Sequence, residues 1–156
     1  MARTKLTPHF SLQEMTKTSA KGADNTPSAT EIKNLHRVCV WLEELRRMWN
    51  ERYGDGNDPI VINSAFRSPA VNKMVGGVAT SNHLSGCAAD IRVLGLEQAL
   101  RYAVILLDIA DERKKDFDEM IIERSKTTIW LHFAVRESNN RRKVCMSINK
   151  LIGSKA

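Results

Sequence analysis

Two histidines and one aspartate are the residues of this 156-residue chain whose types and spacing suit metal chemistry. In Ser81-Asn82-His83-Leu84-Ser85-Gly86-Cys87-Ala88-Ala89-Asp90, an imidazole and a carboxylate stand seven positions apart around a glycine. Both groups are good zinc donors, at roughly 2.0–2.2 Å. Extended backbone from Cys87 onward would put Ala88 and Asp90 on one face and Cys87 and Ala89 on the other. The small Ala88 then leaves room beside the carboxylate, and Gly86 lets the chain turn from the histidine loop into the strand. Such a pair recurs by chance in many sequences, so a third donor must come from elsewhere. Ile129-Trp130-Leu131-His132-Phe133-Ala134-Val135 offers one. Strand alternation places His132 with Trp130 and Ala134, and turns Leu131, Phe133 and Val135 to the opposite, apolar face. A histidine buried in mid-strand needs a polar partner. A metal would supply it, and a hydrogen bond to a neighbouring carbonyl is the simpler alternative. His9, ahead of the first helix, and His36, beside an apolar helical stripe, read as ordinary surface or locally bonded residues.

Helices and strands must bring these segments together. Ser11-Leu12-Gln13-Glu14 has the form of a capping box, with Phe10 and Met15 at the flanking apolar positions, so a short helix should begin there. Residues 18–27 are small and polar and read as a loop. Ser28-Ala29-Thr30-Glu31 is a second box, and Ile32, Leu35, Cys39, Leu42, Leu45, Trp49 and Tyr53 recur at helical spacing until Gly54. A strand is expected over 60–66, a short helix capped by Ser68 with Pro69 at its first position, and a stop at Gly76-Gly77. A strand over 87–93 and a helix from 95 or 96 to about 109 follow. Residues 111–116 read as a solvated connection. Strands over 117–123 and 128–135 should be joined by a turn at 124–127, and a basic turn over 136–143 should lead to a last strand at 144–148. This order predicts an α+β fold, a mainly antiparallel sheet flanked by helices.

Length bounds the rest. A chain of 156 residues suits one domain, here 1–156, with 1–27 a short helix and loop and 149–156 a tail. The longest apolar stretch, near 103–110, is broken by Asp108 and falls short of the roughly 20 residues a membrane span needs. Basic residues at the N-terminus are followed by no apolar core, so no Sec signal is expected and the chain should be cytoplasmic as synthesised, reaching a cell wall by release or another export route. Cys39, Cys87 and Cys145 have no metal or redox spacing and read as free thiols. The net charge of +6 permits anionic partners, but no nucleic-acid motif accompanies it and aromatic residues are only 6% of the chain, so nucleic acid is not expected as a partner. A monomer is expected.

The motifs together resemble a known family. Ser64-Ala65-Phe66-Arg67-Ser68-Pro69-Ala70-Val71-Asn72-Lys73, followed by Val75-Gly76-Gly77, is similar to the S-G-Y-R-S-P-x-x-N-x-x-V-G-G block of zinc D-alanyl-D-alanine carboxypeptidase-like peptidases. The S-x-H-x-x-G-x-A-x-D pattern of 81–90, the Trp130-Leu131-His132 strand and the His9-Phe10-Ser11-Leu12-Gln13-Glu14 opening match in the same order, as in small bacterial and phage-type members. The resemblance covers about residues 9–135. It implies Zn2+ held by His83, Asp90 and His132, with a fourth position open as in catalytic sites. It also implies that Arg67 holds a substrate carboxylate or a developing oxyanion, that Ser81 and Trp130 help place substrate, and that the substrate is a peptidoglycan peptide. Many relatives carry an acidic residue three positions before the last histidine, where this chain has Ile129. Glu123, one hairpin away from His132, is then the expected general base, as a similar arrangement in the related Hedgehog signalling domain suggests; Asp118 and Glu119 are substitutes for it. The alternative is a zinc-containing binding module on the same fold without turnover.

Overall fold

A computed structural model describes residues 3–147. A short antiparallel ribbon, β1 (Lys5–Thr7) and β2 (Phe10–Ser11), opens the chain and leads into α1 (Leu12–Thr16). The ribbon is too short for alternation to have announced it. Ser11 Oγ accepts the Glu14 amide at 3.1 Å, so the hydroxyl half of the expected box caps α1. At α2 (Ala29–Arg52) the box is complete: Ser28 N donates to Glu31 Oε2 at 3.2 Å and Glu31 N to Ser28 Oγ at 3.5 Å. The buried face of α2 is broader than the expected stripe, adding Val38, Trp41 and Met48. Tyr53 is the C-cap rather than part of that face, and its ring lies under the Arg101 guanidinium at 3.9 Å.

The rest of the chain runs β3 (Ile62–Ser64), α3 (Pro69–Met74), a single 3-10 turn (Asn82–Ser85), β4 (Ala88–Arg92), α4 (Leu96–Arg113), β5 (Glu119–Ser125), β6 (Thr128–Ala134) and β7 (Lys143–Ser147). Five strands form one sheet in the order β3-β4-β6-β5-β7, with α2 packed on α4 behind it. The β3–β4, β4–β6 and β6–β5 pairings are antiparallel, and β5–β7 is parallel. The architecture is therefore mixed α+β.

Several expected boundaries move, each for a local reason. The strand expected over 60–66 contracts to β3 because its register shifts between Ile62 and Ser64 and the Phe66 amide bonds to Met15 O instead. α4 continues past residue 109 and takes in Asp111, Glu112 and Arg113. Charged side chains do not end an exposed helix. Lys114 does, with φ 52° and its amide on Ala110 O and Asp111 O. The hairpin turn is only Lys126 and Thr127, with Lys126 at φ 53°. The final strand starts at Lys143, and Ile148 lies outside the described residues. Its parallel pairing follows from a crossing over the end of β5. The Arg141 amide bonds to Asp118 Oδ1, the Arg142 amide to Phe117 O and the Lys143 amide to Asp118 O, which carries the strand to the far side of β5.

Alternation decides which face of the sheet does what. Leu131 and Phe133 of β6 and Met120 and Ile122 of β5 join the apolar core against α2 and α4. Trp41 meets Phe133 with ring centroids 5.4 Å apart. Trp130 and His132, one residue out of phase, lie on the other face. In β5 the matching residues are Glu119, Ile121 and Glu123, paired with Ala134, His132 and Trp130.

Candidate metal centre

Three elements deliver the three expected donors to one point. Asp90 and His132 are direct cross-strand partners in the β4–β6 ladder. His83 comes from the 3-10 turn that precedes β4. Ser81 caps that turn, its hydroxyl accepting the His83 amide at 3.2 Å, and Gly86 ends it at φ 75°. A Cβ at Gly86 would lie 2.7 Å from Glu31 O at the start of α2, so glycine is required there for both conformation and space. His83 Nε2 is 3.2 Å from Asp90 Oδ1, and His132 Nδ1 is 3.1 Å from the same oxygen. One possible ligand atom from each residue lies within 4.8 Å of the others.

The outer nitrogens decide what the inner ones can be. His83 Nδ1 faces Ala65 O, and His132 Nε2 faces Glu119 Oε1 at 3.1 Å. Carbonyl and carboxylate oxygens only accept, so each outer nitrogen must carry the proton. In their neutral forms the two imidazoles would turn lone pairs toward Asp90 Oδ1, itself an acceptor. Three acceptor atoms facing one another call for a cation, and two imidazoles with one carboxylate form a donor set that suits zinc. Without a metal, protons fill that demand. Burial works against a charged His132, but the Asp90 and Glu119 hydrogen bonds outweigh it and push the imidazole up to about 9. Glu119 is held down at about 2, chiefly by its hydrogen bond from His132. Burial would raise Asp90, yet the two histidines hold it well below the usual carboxylate range.

The remaining expected residues line a cleft of about 830 Å³ over this group, among them Arg67, Ser81, Glu123 and Trp130. The Arg67 amide donates to His83 O at 3.0 Å, tying the arginine segment to the histidine turn. Arg67 Nη1 donates to Asn72 Oδ1 at 3.2 Å, Nη2 lies 3.9 Å from Asp90 Oδ2, and the buried Nε has no hydrogen-bond partner among the described residues. Gly77 lies so close that a Cβ would overlap Asn72 Oδ1, which explains why a small residue follows α3 here. Glu123 stands opposite Trp130, and its charge acts on both Arg67 and His132. Ile129 pairs with Arg124 and packs against the core. A carboxylate at 129 would point away from the cleft in this register, and the acids that face the site besides Asp90 are Glu119 and Glu123 of β5.

Sequence reasoning missed the surroundings of Glu119. Asn82 Nδ2 donates to Glu119 Oε1 at 2.7 Å and to Asp118 Oδ2 at 2.8 Å, while Asn82 Oδ1 accepts from Arg136 Nε at 2.9 Å. Asp118 is fully buried and takes Arg141 Nε at 3.0 Å and Nη2 at 2.8 Å. Burial would raise Asp118, but Arg141 and Asn82 bring it down to about 2. Asn82 lies 36 and 37 positions from its two acids, so no local pattern links them. The one signal was a polar residue beside His83. His9, by contrast, is remote from the cleft and pairs with Glu43 at 2.7 Å. Cys39 and Cys87 are free and buried, and Cys145 is free and half-buried.

With the sheet and this donor group in view, comparison with known proteins is informative. The chain belongs to the M15 peptidase family: the family described as Peptidase M15 matches residues 8–132. It is also similar to the zinc D-Ala-D-Ala carboxypeptidase of Streptomyces albus G, at 31% identity over 83 residues. That match covers 53% of this chain and 31% of the relative, so the chain spans about a third of that protein's length.

Proposed function

We propose that this chain is a zinc-dependent peptidase acting on peptidoglycan peptides, with His83, Asp90 and His132 as the metal ligands. One observation carries the proposal: His83 Nε2 and His132 Nδ1 converge on Asp90 Oδ1, at 3.2 and 3.1 Å, while their outer nitrogens face Ala65 O and Glu119 Oε1. Family membership and the similarity to a zinc carboxypeptidase support the reaction class and the metal. The peptidoglycan substrate rests on the same likeness. The single peptidase domain is inferred to share its fold with the Hedgehog signalling domain, on the strength of the ordered motifs at 64–77, 81–90 and 130–132.

When bound, zinc would polarise the scissile carbonyl and acidify a water. Arg67, beside Asp90 with donors to spare, binds the substrate carboxylate or the oxygen on which charge develops. Trp130 forms a wall of the cleft, and Ser81 orients the peptide besides capping the histidine turn. Glu123 accepts the proton released by the attacking water and returns it to the leaving amine nitrogen. Glu119 is unsuited to that role. His132, Asn82 and Arg141 already engage its oxygens, and a carboxylate held at about 2 is a weak base.

The test combines metal analysis with hydrolysis of synthetic wall peptides. Wild type should carry roughly one zinc per chain. Glu123→Gln should keep the metal and lose about 10²–10⁴-fold in rate. Unchanged hydrolysis in that variant removes Glu123 as the base. Zinc retained by a wild type that cleaves no wall peptide leaves a binding module instead.

A further inference from the structure

A second set of side chains, Glu119, Asn82, Asp118 and Arg141, stands behind the proposed metal ligands and is joined to His132 by hydrogen bonds and ion pairs. His132 Nε2 meets Glu119 Oε1 at 3.1 Å, and that oxygen also accepts Asn82 Nδ2 at 2.7 Å. Arg141 Nη2 spans the two acids, 3.3 Å from Glu119 Oε2 and 2.8 Å from Asp118 Oδ2. Asn82 therefore links the turn that carries His83 to the strand beside His132, and Arg141 links both acids to the segment entering β7. Histidines that bind metals donate their other N–H to a carboxylate or carbonyl, which fixes the tautomer and raises ligand basicity. Ala65 O does this for His83 as a neutral acceptor, and Glu119 does it for His132 as a charged one.

We infer that Glu119 is a positioning residue, held by Asn82 and Arg141, that keeps the His132 proton on Nε2 and its Nδ1 lone pair on the metal. This role rests on zinc binding at His83, Asp90 and His132. It makes zinc affinity depend on a carboxylate that contacts neither metal nor substrate. It also assigns the two acids of β5 different work, Glu119 to the ligand and Glu123 to the reacting proton.

The experiment is a zinc competition titration against a chromophoric chelator on wild type, Glu119→Ala and Glu119→Gln, alongside melting of the metal-free proteins. Long-range ¹⁵N–¹H spectra of the zinc-loaded proteins report the histidine tautomers. Glu119→Ala should weaken zinc binding by about 10–100-fold and broaden or shift the His132 Nε2–H signal. Glu119→Gln should fall between, because its amide oxygen still accepts from His132 while its amide nitrogen meets Arg141 Nη2, donor against donor. A purely structural role would lower the melting temperature of the metal-free protein and leave the zinc affinity of the folded fraction unchanged. Glu119→Ala binding zinc as tightly as wild type overturns the inference, and if that variant does not fold, an unchanged Glu119→Gln does so. Failure of wild type itself to take up zinc overturns the metal reading along with it.

Discussion

Two histidine–glutamate pairs among the described residues differ in almost everything except composition. His9 and Glu43 meet at 2.7 Å between the N-terminal ribbon and α2, with the histidine side chain 47% exposed. His132 and Glu119 meet at 3.1 Å on the sheet, with the histidine 9% exposed. At the surface the second ring nitrogen of His9 can turn to water, and the pair is a local clasp. In the cleft His132 has a carboxylate at each end, and one of them is shared with His83. The shorter contact is the less consequential one. What matters is whether every other route to satisfying the ring has been closed.

Removing a ligand should separate the two pairs most sharply. His132→Ala should lose nearly all zinc, whereas His9→Ala should keep it, as elemental analysis after dialysis against trace metal would show. Zinc held by both variants would break the assignment of His132. Next in size is the support under the buried pair. Asp118→Ala removes one of the two carboxylates that hold the Arg141 guanidinium and the Asn82 amide, leaving Glu119 alone to accept from both. Because Arg141 is half-exposed and can turn to solvent, losing this acceptor should cost about 1–3 kcal/mol in chemical denaturation. The corresponding pH effect has a definite sign. Asp118 is depressed in the folded protein, so its stabilisation is present above the ordinary aspartate range near 3.9 and is lost as pH falls toward about 2.

His132 titrates in the opposite sense. Its pKa is raised to about 9 in the metal-free protein, so its ionic stabilisation is fully present below the ordinary value of about 6.5 and disappears as pH rises through 9. Zinc must displace that proton, so zinc affinity should rise over the same interval. Metal-free melting temperature and zinc affinity should therefore move in opposite directions between about pH 6.5 and 9. Parallel movement would show that His132 is not the titrating ligand. The smallest effect belongs to the surface pair, where Glu43→Gln should change stability by no more than about 1 kcal/mol and leave zinc binding unaltered.

Much of the site is legible in the order of residues alone. Alternation in 129–135 puts His132 opposite Leu131 and Phe133, and both of those are in the core. Parity in 87–90 puts Ala88 with Asp90, and these pair with Ala134 and His132. Both hold because the strand period is a property of the backbone itself. Capping at Ser28 and Ser68 is equally local. The end of α4 is not, since charged residues are compatible with both helix and loop. Nor is the parallel placement of β7, which depends on a crossing held by Asp118.

The sequence by itself determined which residues could donate to a metal, which face of each strand they occupy, and where glycine must relieve the backbone. Only the tertiary structure decided how they meet. The register of β5 against β6 sends Ile129 to the core and sets Glu119 and Glu123 on the cleft face. The approach of the histidine turn to β5 gives Asn82 its two acids. Periodicity acts over a few residues and can be read along the chain. Hydrogen bonds between side chains some 36 positions apart exist only once the sheet has closed, and nothing in local propensity encodes them.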